Sequence, residues 1–185
     1  MMGENVLRPG QDIVVTKWVG LQGTLLLARD QKAELEKALP RELIRRAEGF
    51  AEYLGVKPDT DIALQNGACA IHCAGAGGIF GALWEMASDG SVGLEAELKR
   101  IPVRQETIEV CEVFRINPYQ LMSGGTLLIG TDHGTRLVWE MERAGIHAAV
   151  VGIATAGNDR VVRNGQEKRY LEPPKTDELY RVKRL

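Results

Sequence analysis

The stretch Ile71–Ala87, IHCAGAGGIFGALWEMA, holds the residue types in this chain best suited to chemistry. Gly75, Gly77 and Gly78 stand in front of a run that reads as a helix. The first backbone N–H groups of a helix have no intrahelical acceptor, and together with the helix dipole they favour an anion. Glycines there let a phosphate approach the backbone closely. The spacing matches neither GxxxxGK[ST] nor a dinucleotide fingerprint. A tight strand-to-helix turn, with glycines needed for positive φ or close packing, accounts for the same letters.

Other constellations are weaker. Cys69, His72 and Cys73 lie close together in CAIHC, but a metal site needs a fourth ligand, and Cys111, His133 and His147 are scattered. Small buried cysteines beside a satisfied histidine are the plainer expectation. Ser123–Thr126 is a second glycine-rich turn, but it leads into a strand, so the dipole argument does not apply. Gly157–Arg160 offers Asn158, Asp159 and Arg160 to a ligand, or forms a turn with an Asx hydrogen bond and a surface ion pair. No Ser/His/Asp triad and no catalytic carboxylate pair stands out.

The elements that must position these residues follow from periodicity. Asp12–Gly20 is short and β-branched and reads as a strand. Gln22–Asp30 begins a helix. Leu35, Leu39, Leu43, Ala47, Phe50 and Leu54 recur at spacings of three and four and line one helical face, with Pro40 in the first turn of a second helix and Gly55 as a stop. Ala68–Ile71 suits a buried strand, and the helix after the glycine turn puts Ile79, Leu83 and Met86 on one side. Ser91–Val103 reads as a strand leading to a proline turn. Arg104–Ile116 reads as a short helix, with Ile108, Cys111 and Val113 or Phe114 inward. Thr126–Thr131 is a strand, Gly134–Gly145 a helix, and His147–Ala156 a second buried strand. Asp159–Leu171 is a hairpin with Asn164-Gly165 as its turn signal. The tail has a final helical turn at most. This alternation predicts a single α/β domain, a mixed sheet with helices packed on it.

Composition narrows the setting. The chain has 185 residues, a net charge of −2 and three cysteines. Mixed charge with no basic stripe argues against a nucleic-acid surface. An odd cysteine count argues against a disulfide framework. The N-terminus lacks the pattern of a signal peptide, and no apolar run is long enough for a membrane span. A cytoplasmic location, with no membrane and no nucleic-acid partner, is the expectation.

From HCAGAGGIFGALWEMA onward the chain resembles the C-terminal domain of the aminoimidazole ribonucleotide (AIR) synthase superfamily. Its kin include hydrogenase maturation proteins of the HypE type, selenophosphate synthetase and thiamine-monophosphate kinase. The likeness runs through Ser91-Val92-Gly93-Leu94, the stretch IPVRQETIEVCEVFRINPYQLMSGGTLLIGT and GNDRVV to RYLEPPKTDELYRV, and reaches back to PGQDIVVTKWVGLQGT. The resemblance implies a PurM-like C-terminal α/β domain over residues 23–185, with residues 1–22 as a junction segment and first strand. It also implies that the ATP-binding lysine and aspartates belong to an N-terminal domain outside this sequence. The family pattern at the turn is His-Asp-x-Thr-x-Gly-Gly. His72, Gly77 and Gly78 match it, but Cys73 stands at the aspartate, Gly75 at the threonine and Ala76 at the residue between. The reactive C-terminal cysteine of HypE-type proteins has no counterpart in Arg181–Leu185.

The resemblance therefore implies a phosphate-site turn that has lost its catalytic side chains. The expected contacts for a cofactor are His72, Gly75, Ala76, Gly77, Gly78, Asn158 and Asp159, with no catalytic and no metal residues. The chain alone is expected to bind no cofactor. ATP and magnesium enter only with a separate N-terminal ATP-binding-domain partner, and the chain acts with that partner or as a binding module. The alternative is one domain, or a split subunit, of an ATP-dependent phosphoryl-transfer enzyme. Removing the neighbouring domain is expected to bare an apolar surface at Val14, Trp18, Val19 and Leu21, covered by a partner or by a homo-oligomer; the competing reading is that Trp18 and its neighbours fold back on their own sheet and the chain is monomeric.

Overall fold

Asp12–Thr16 (β1) is a run of β-branched residues buried along almost its whole length. It lies inside the sheet, not at an edge. In the computed structural model, which describes residues 5–182, seven strands form one mixed sheet in the order β2-β4-β1-β5-β3-β6-β7. The others are Ala68–Cys73 (β2), Gly93–Glu97 (β3), Leu127–Thr131 (β4), Ala148–Thr155 (β5), Arg160–Asn164 (β6) and Glu167–Tyr170 (β7). All pairings are antiparallel except β3 with β6. β1, β2, β3 and β6 therefore run one way, and their last residues share one end of the sheet. A bulge between Ile13 and Val14 shifts the β1–β5 register.

Each face of the sheet has its own cover. Gly78–Asp89 (α5) packs Ile79, Leu83 and Met86 onto Ile13, Val15, Leu94, Leu128 and Val151. The opposite face carries Val14, Leu127 and Ile129 beneath Lys57–Gln65 (α4) and Gly134–Arg143 (α7). A third core lies among Leu21–Asp30 (α1), Lys32–Glu36 (α2), Arg41–Glu48 (α3) and Gln105–Phe114 (α6), around Leu27, Leu35, Ile44 and Val110. Leu179–Val182 (α8) closes that core with Leu179 and Val182. No described helix is long and apolar enough to cross a membrane.

Several expectations shift in detail. Pro40 caps α3 rather than entering its first turn, and the break resets the helical phase. Ile44 thus becomes core while Leu43 is only half-buried. Residues 57–65, which the reading of the sequence passed over, form α4 with Pro58 in its first turn. In α6 the buried apolar pair is Val110 and Cys111, with Thr107 buried beside them and Ile108, Val113 and Phe114 only half-buried. Asn164 pairs with Glu167, so Gly165 and Gln166 are the hairpin loop, one residue later than the turn signal. The apolar surface expected near the start of the chain is absent: Val14, Val19 and Leu21 are fully buried. Trp18 is half-buried, with Arg104 4.7 Å above its ring and His147 stacked on it.

Candidate functional site: the glycine turn

The turn stands where β2 ends and α5 begins. Gly77 caps the helix with φ 87°, and Gly78 follows with φ 67°. Both lie in the left-handed region that side-chain-bearing residues rarely enter. Gly78 is also pressed against backbone: a Cβ there would lie 2.5 Å from the Tyr119 carbonyl oxygen. A Cβ on Gly77 would meet Pro174 at 3.7 Å. Gly75 differs, since nothing lies within 4 Å of its Cβ position and its φ is ordinary. Packing and backbone handedness thus account for Gly77 and Gly78, whereas Gly75 leaves open space.

Internal partners already use the turn's polar groups. Gly78 N–H donates to the Gly75 carbonyl at 3.1 Å, and so does Ser123 N–H. Gly77 N–H donates to Asp177 Oδ2 at 2.7 Å, across a separation of 100 residues. The other Asp177 oxygen accepts from Met122 N–H at 3.1 Å and from Leu179 N–H at 2.9 Å. Asp177 is 2% exposed, so a buried carboxylate is satisfied wholly by backbone N–H groups. Its position ahead of α8 was visible as an Asp before a helical turn. Its long-range contact was not.

The neighbouring residues are arranged for support. His72 Nε2 lies 3.0 Å from Glu85 Oε2 on α5, which satisfies the ring as expected. The cysteines beside it are not buried: Cys73 is exposed and Cys69 half-exposed. Among the described residues no group of His, Cys, Asp and Glu could hold a metal ion. The carboxylate bonded to the turn, Asp177, is spent on backbone N–H groups, and Glu85 is taken up by His72, so the residues at the turn do not fit a magnesium ion. Ser123 is fully buried and its hydroxyl accepts from Gly20 N–H at 2.8 Å, while Thr126 Oγ1 donates to the Trp18 carbonyl at 2.6 Å. The second glycine-rich turn therefore fixes the entry to α1.

Asn158 and Asp159 do not join the turn. They precede β6, whose first residue lies at the opposite end of the sheet from the last residue of β2. There the Asp159 carbonyl accepts from Leu94 N–H at 2.9 Å, which ties the loop to β3. His72, Gly75, Ala76, Gly77 and Gly78 form one cluster, and Asn158 and Asp159 form another. At that second end Asp12 Oδ2 accepts from Gly134 N–H at 3.0 Å and caps α7. Two helices of the sheet thus take their N-terminal carboxylate from remote parts of the chain.

The architecture has known relatives. The phosphoribosylformylglycinamidine synthase subunit PurL of Caldanaerobacter subterraneus subsp. tengcongensis is 26% identical over 155 residues, covering 80% of this chain and 20% of that protein. A crystal structure of E. coli HypE superposes with a TM-score of 0.74 at 19% identity, over 96% of this chain and 54% of HypE. A structure of the hydrogenase maturation protein HypE in complex with ATP gives 0.69 at 15% identity, over 95% of this chain and 54% of that one. The chain thus spans about a fifth of the PurL relative and about half of the HypE chains. The family model for the AIR synthase related protein, C-terminal domain, matches residues 8–164. With β1 through β6 inside that match, this chain belongs to the AIR synthase related C-terminal domain family.

Proposed function

We propose that this domain is the phosphate-facing half of a two-part assembly and performs no phosphoryl transfer by itself. In this reading the nucleotide-binding half is contributed by residues other than these 185. One observation carries the reading. The turn keeps its backbone geometry, with Gly77 and Gly78 left-handed at the start of α5, while Cys73 and Gly75 stand where the family places a carboxylate and a hydroxyl. Phosphoryl transfer depends on positioned metal and cationic groups. A backbone cradle without them can seat an anion but not activate it. That a HypE neighbour was solved with ATP supports a nucleotide as the ligand of the assembled pair.

The test is an ATPase assay with magnesium on the pure chain, and on the chain mixed with a candidate nucleotide-binding-domain protein. No turnover is expected from the chain alone, and turnover or nucleotide binding is expected from the pair. Magnesium-dependent turnover by the pure chain, lost on substitution within Ile71–Gly78, would overturn the proposal.

A further inference from the structure

The cover on the α4–α7 face of the sheet stops short. Those two helices meet β2, β4, β1 and β5. Among the described residues, the cluster they build takes in nothing from β3, β6 or β7. Strand register shows what is left open. Asp12 pairs with Ile153, Ile153 with Glu95, Glu95 with Val161, and Val161 with Tyr170, so these residues form one row across β1, β5, β3, β6 and β7. Asp12 caps α7, which puts the row on the α7 side. Val162, next to Val161, belongs to the α5 core, as strand alternation requires. Within the row Ile153 is 43% and Tyr170 55% exposed, and Trp139 of α7, 58% exposed, stands beside Asp12 at its near end. The adjacent row carries charge, for Glu97 pairs with Arg163 and Arg163 with Lys168. Acids therefore stand on β3, and bases on β6 and β7. Glu95 and Arg163 are bonded to each other, whereas among the described residues Glu97 and Lys168 have no ion-pair partner.

We propose that this open face pairs with the same face of a second copy of the chain, sheet on sheet. The charge pattern argues for self-pairing. A partner recognised by charge of one sign would meet a face of the other sign, but here both signs stand on neighbouring strands. In an isologous contact each residue meets the image of another. A two-fold axis running along the strands, between β3 and β6, lays β3 over β6 of the second copy and β5 over its β7. Glu97 then faces Arg163 and Lys168 of the second copy, and Ile153 faces its Tyr170, each contact made twice by symmetry. Sheets stack in this way about 10 Å apart, with their strands within about 30° of one another. Acid over base sets the register, and the apolar row leaves water. Four strands make a narrow face against the roughly 800 Å² per partner of a standard interface, so the dimer is weak and depends on concentration. The face lies across the sheet from α5 and the glycine turn, so the inference stands apart from the proposed function.

The test is sedimentation equilibrium of the full chain up to millimolar concentration, with Ile153→Lys, Glu97→Lys and the double variant Glu97→Lys/Lys168→Glu beside the wild type. The wild type is expected to show a monomer–dimer equilibrium. Ile153→Lys and Glu97→Lys are each expected to weaken it on the order of tenfold or more. The double variant exchanges the two signs and is expected to recover most of the loss seen in Glu97→Lys. If Ile153→Lys does not fold, Tyr170→Ser, on an edge strand, carries the same readout. A wild type that stays monomeric throughout overturns the proposal. So does a dimer that every variant leaves intact, which places the contact elsewhere. A loss in Glu97→Lys that the double variant fails to recover overturns the setting of β3 over β6 and the self-pairing argued from it.

Discussion

Gly78 sits against the carbonyl of Tyr119, with only 2.5 Å between that oxygen and the point where a Cβ would stand. The contact locks the start of α5 to the segment that leads into β4. Gly78→Ala must bear both a left-handed φ, at about 1–2 kcal/mol, and overpacking against backbone that cannot yield, at about 1–3 kcal/mol. A loss of about 2–4 kcal/mol in a urea titration is expected. Gly75→Ala, with open space and an ordinary φ, is expected to stay within about 0.5 kcal/mol of wild type. Equal losses at the two positions would show that the turn's glycines share one role.

The thiols should divide by burial. Cys111 is 1% exposed, and burial, with a smaller contribution from the Glu178 charge, pushes its thiol up to about 12. The thiolate is the reactive form, so Cys111 is expected to resist a thiol reagent at neutral pH until the protein unfolds. Cys73 is exposed and is expected to react first. Mass spectrometry of partly labelled protein settles the order, and early labelling at Cys111 would contradict the packing of α6.

Glu106 supplies a pH dependence. Burial works to raise its carboxyl, but a hydrogen bond from its own backbone N–H and the guanidinium groups of Arg104 and Arg46 outweigh that, and it is held below the ordinary glutamate range. The unfolded chain therefore takes up the proton more readily than the folded one. The stabilisation is present above the ordinary glutamate value, about 4.3, and fades as pH falls through and below it. Glu106→Gln is expected to cost about 1–2 kcal/mol at pH 7 and progressively less toward pH 3. A gap between variant and wild type that stayed constant with pH would exclude the charge as its source.

Lys17 and Asp59 form a buried pair, with side chains 8% and 3% exposed and 2.9 Å between Nζ and Oδ2. Nζ also donates to the Gly55 carbonyl at 2.7 Å. Asp59→Ala strands a buried ammonium and is expected to cost about 3–5 kcal/mol. Adding Lys17→Met should restore much of that loss, because no charge is then left unpaired. A double variant as unstable as the sum of the singles would mean that the pair is not coupled.

Local patterns in the sequence were legible. The β-branched run at Ile13–Val15, the stripe of Ile79, Leu83 and Met86, and the alternation of strands and helices all reappear in the structure. The glycine turn was legible as well, both as packing and as backbone geometry. What escaped was set by distance along the chain. Nothing local to Asp177 announces that its carboxylate meets Gly77, and nothing in Asn158 or Asp159 reveals that they fall at the other end of the sheet. Strand direction decides that, and strand direction follows from pairings between remote segments. The burial of Val14, Val19 and Leu21 within their own domain was the less favoured of two readings for the same reason, since a short apolar strand looks alike in a core and at an interface.

The strand order also sets a timetable. Both neighbours of β1, β4 and β5, lie more than about 110 residues downstream, so at about 5–20 residues per second it waits on the order of 5–20 s on the ribosome before either ladder can form. In that interval Ile13, Val14 and Val15 present an apolar strand with both edges unpaired, the kind of nascent segment that chaperones hold and that neighbouring chains capture. The Gly77 amide likewise waits another 100 residues for Asp177. The ladders at the middle of the sheet thus cannot close until those downstream segments have been made.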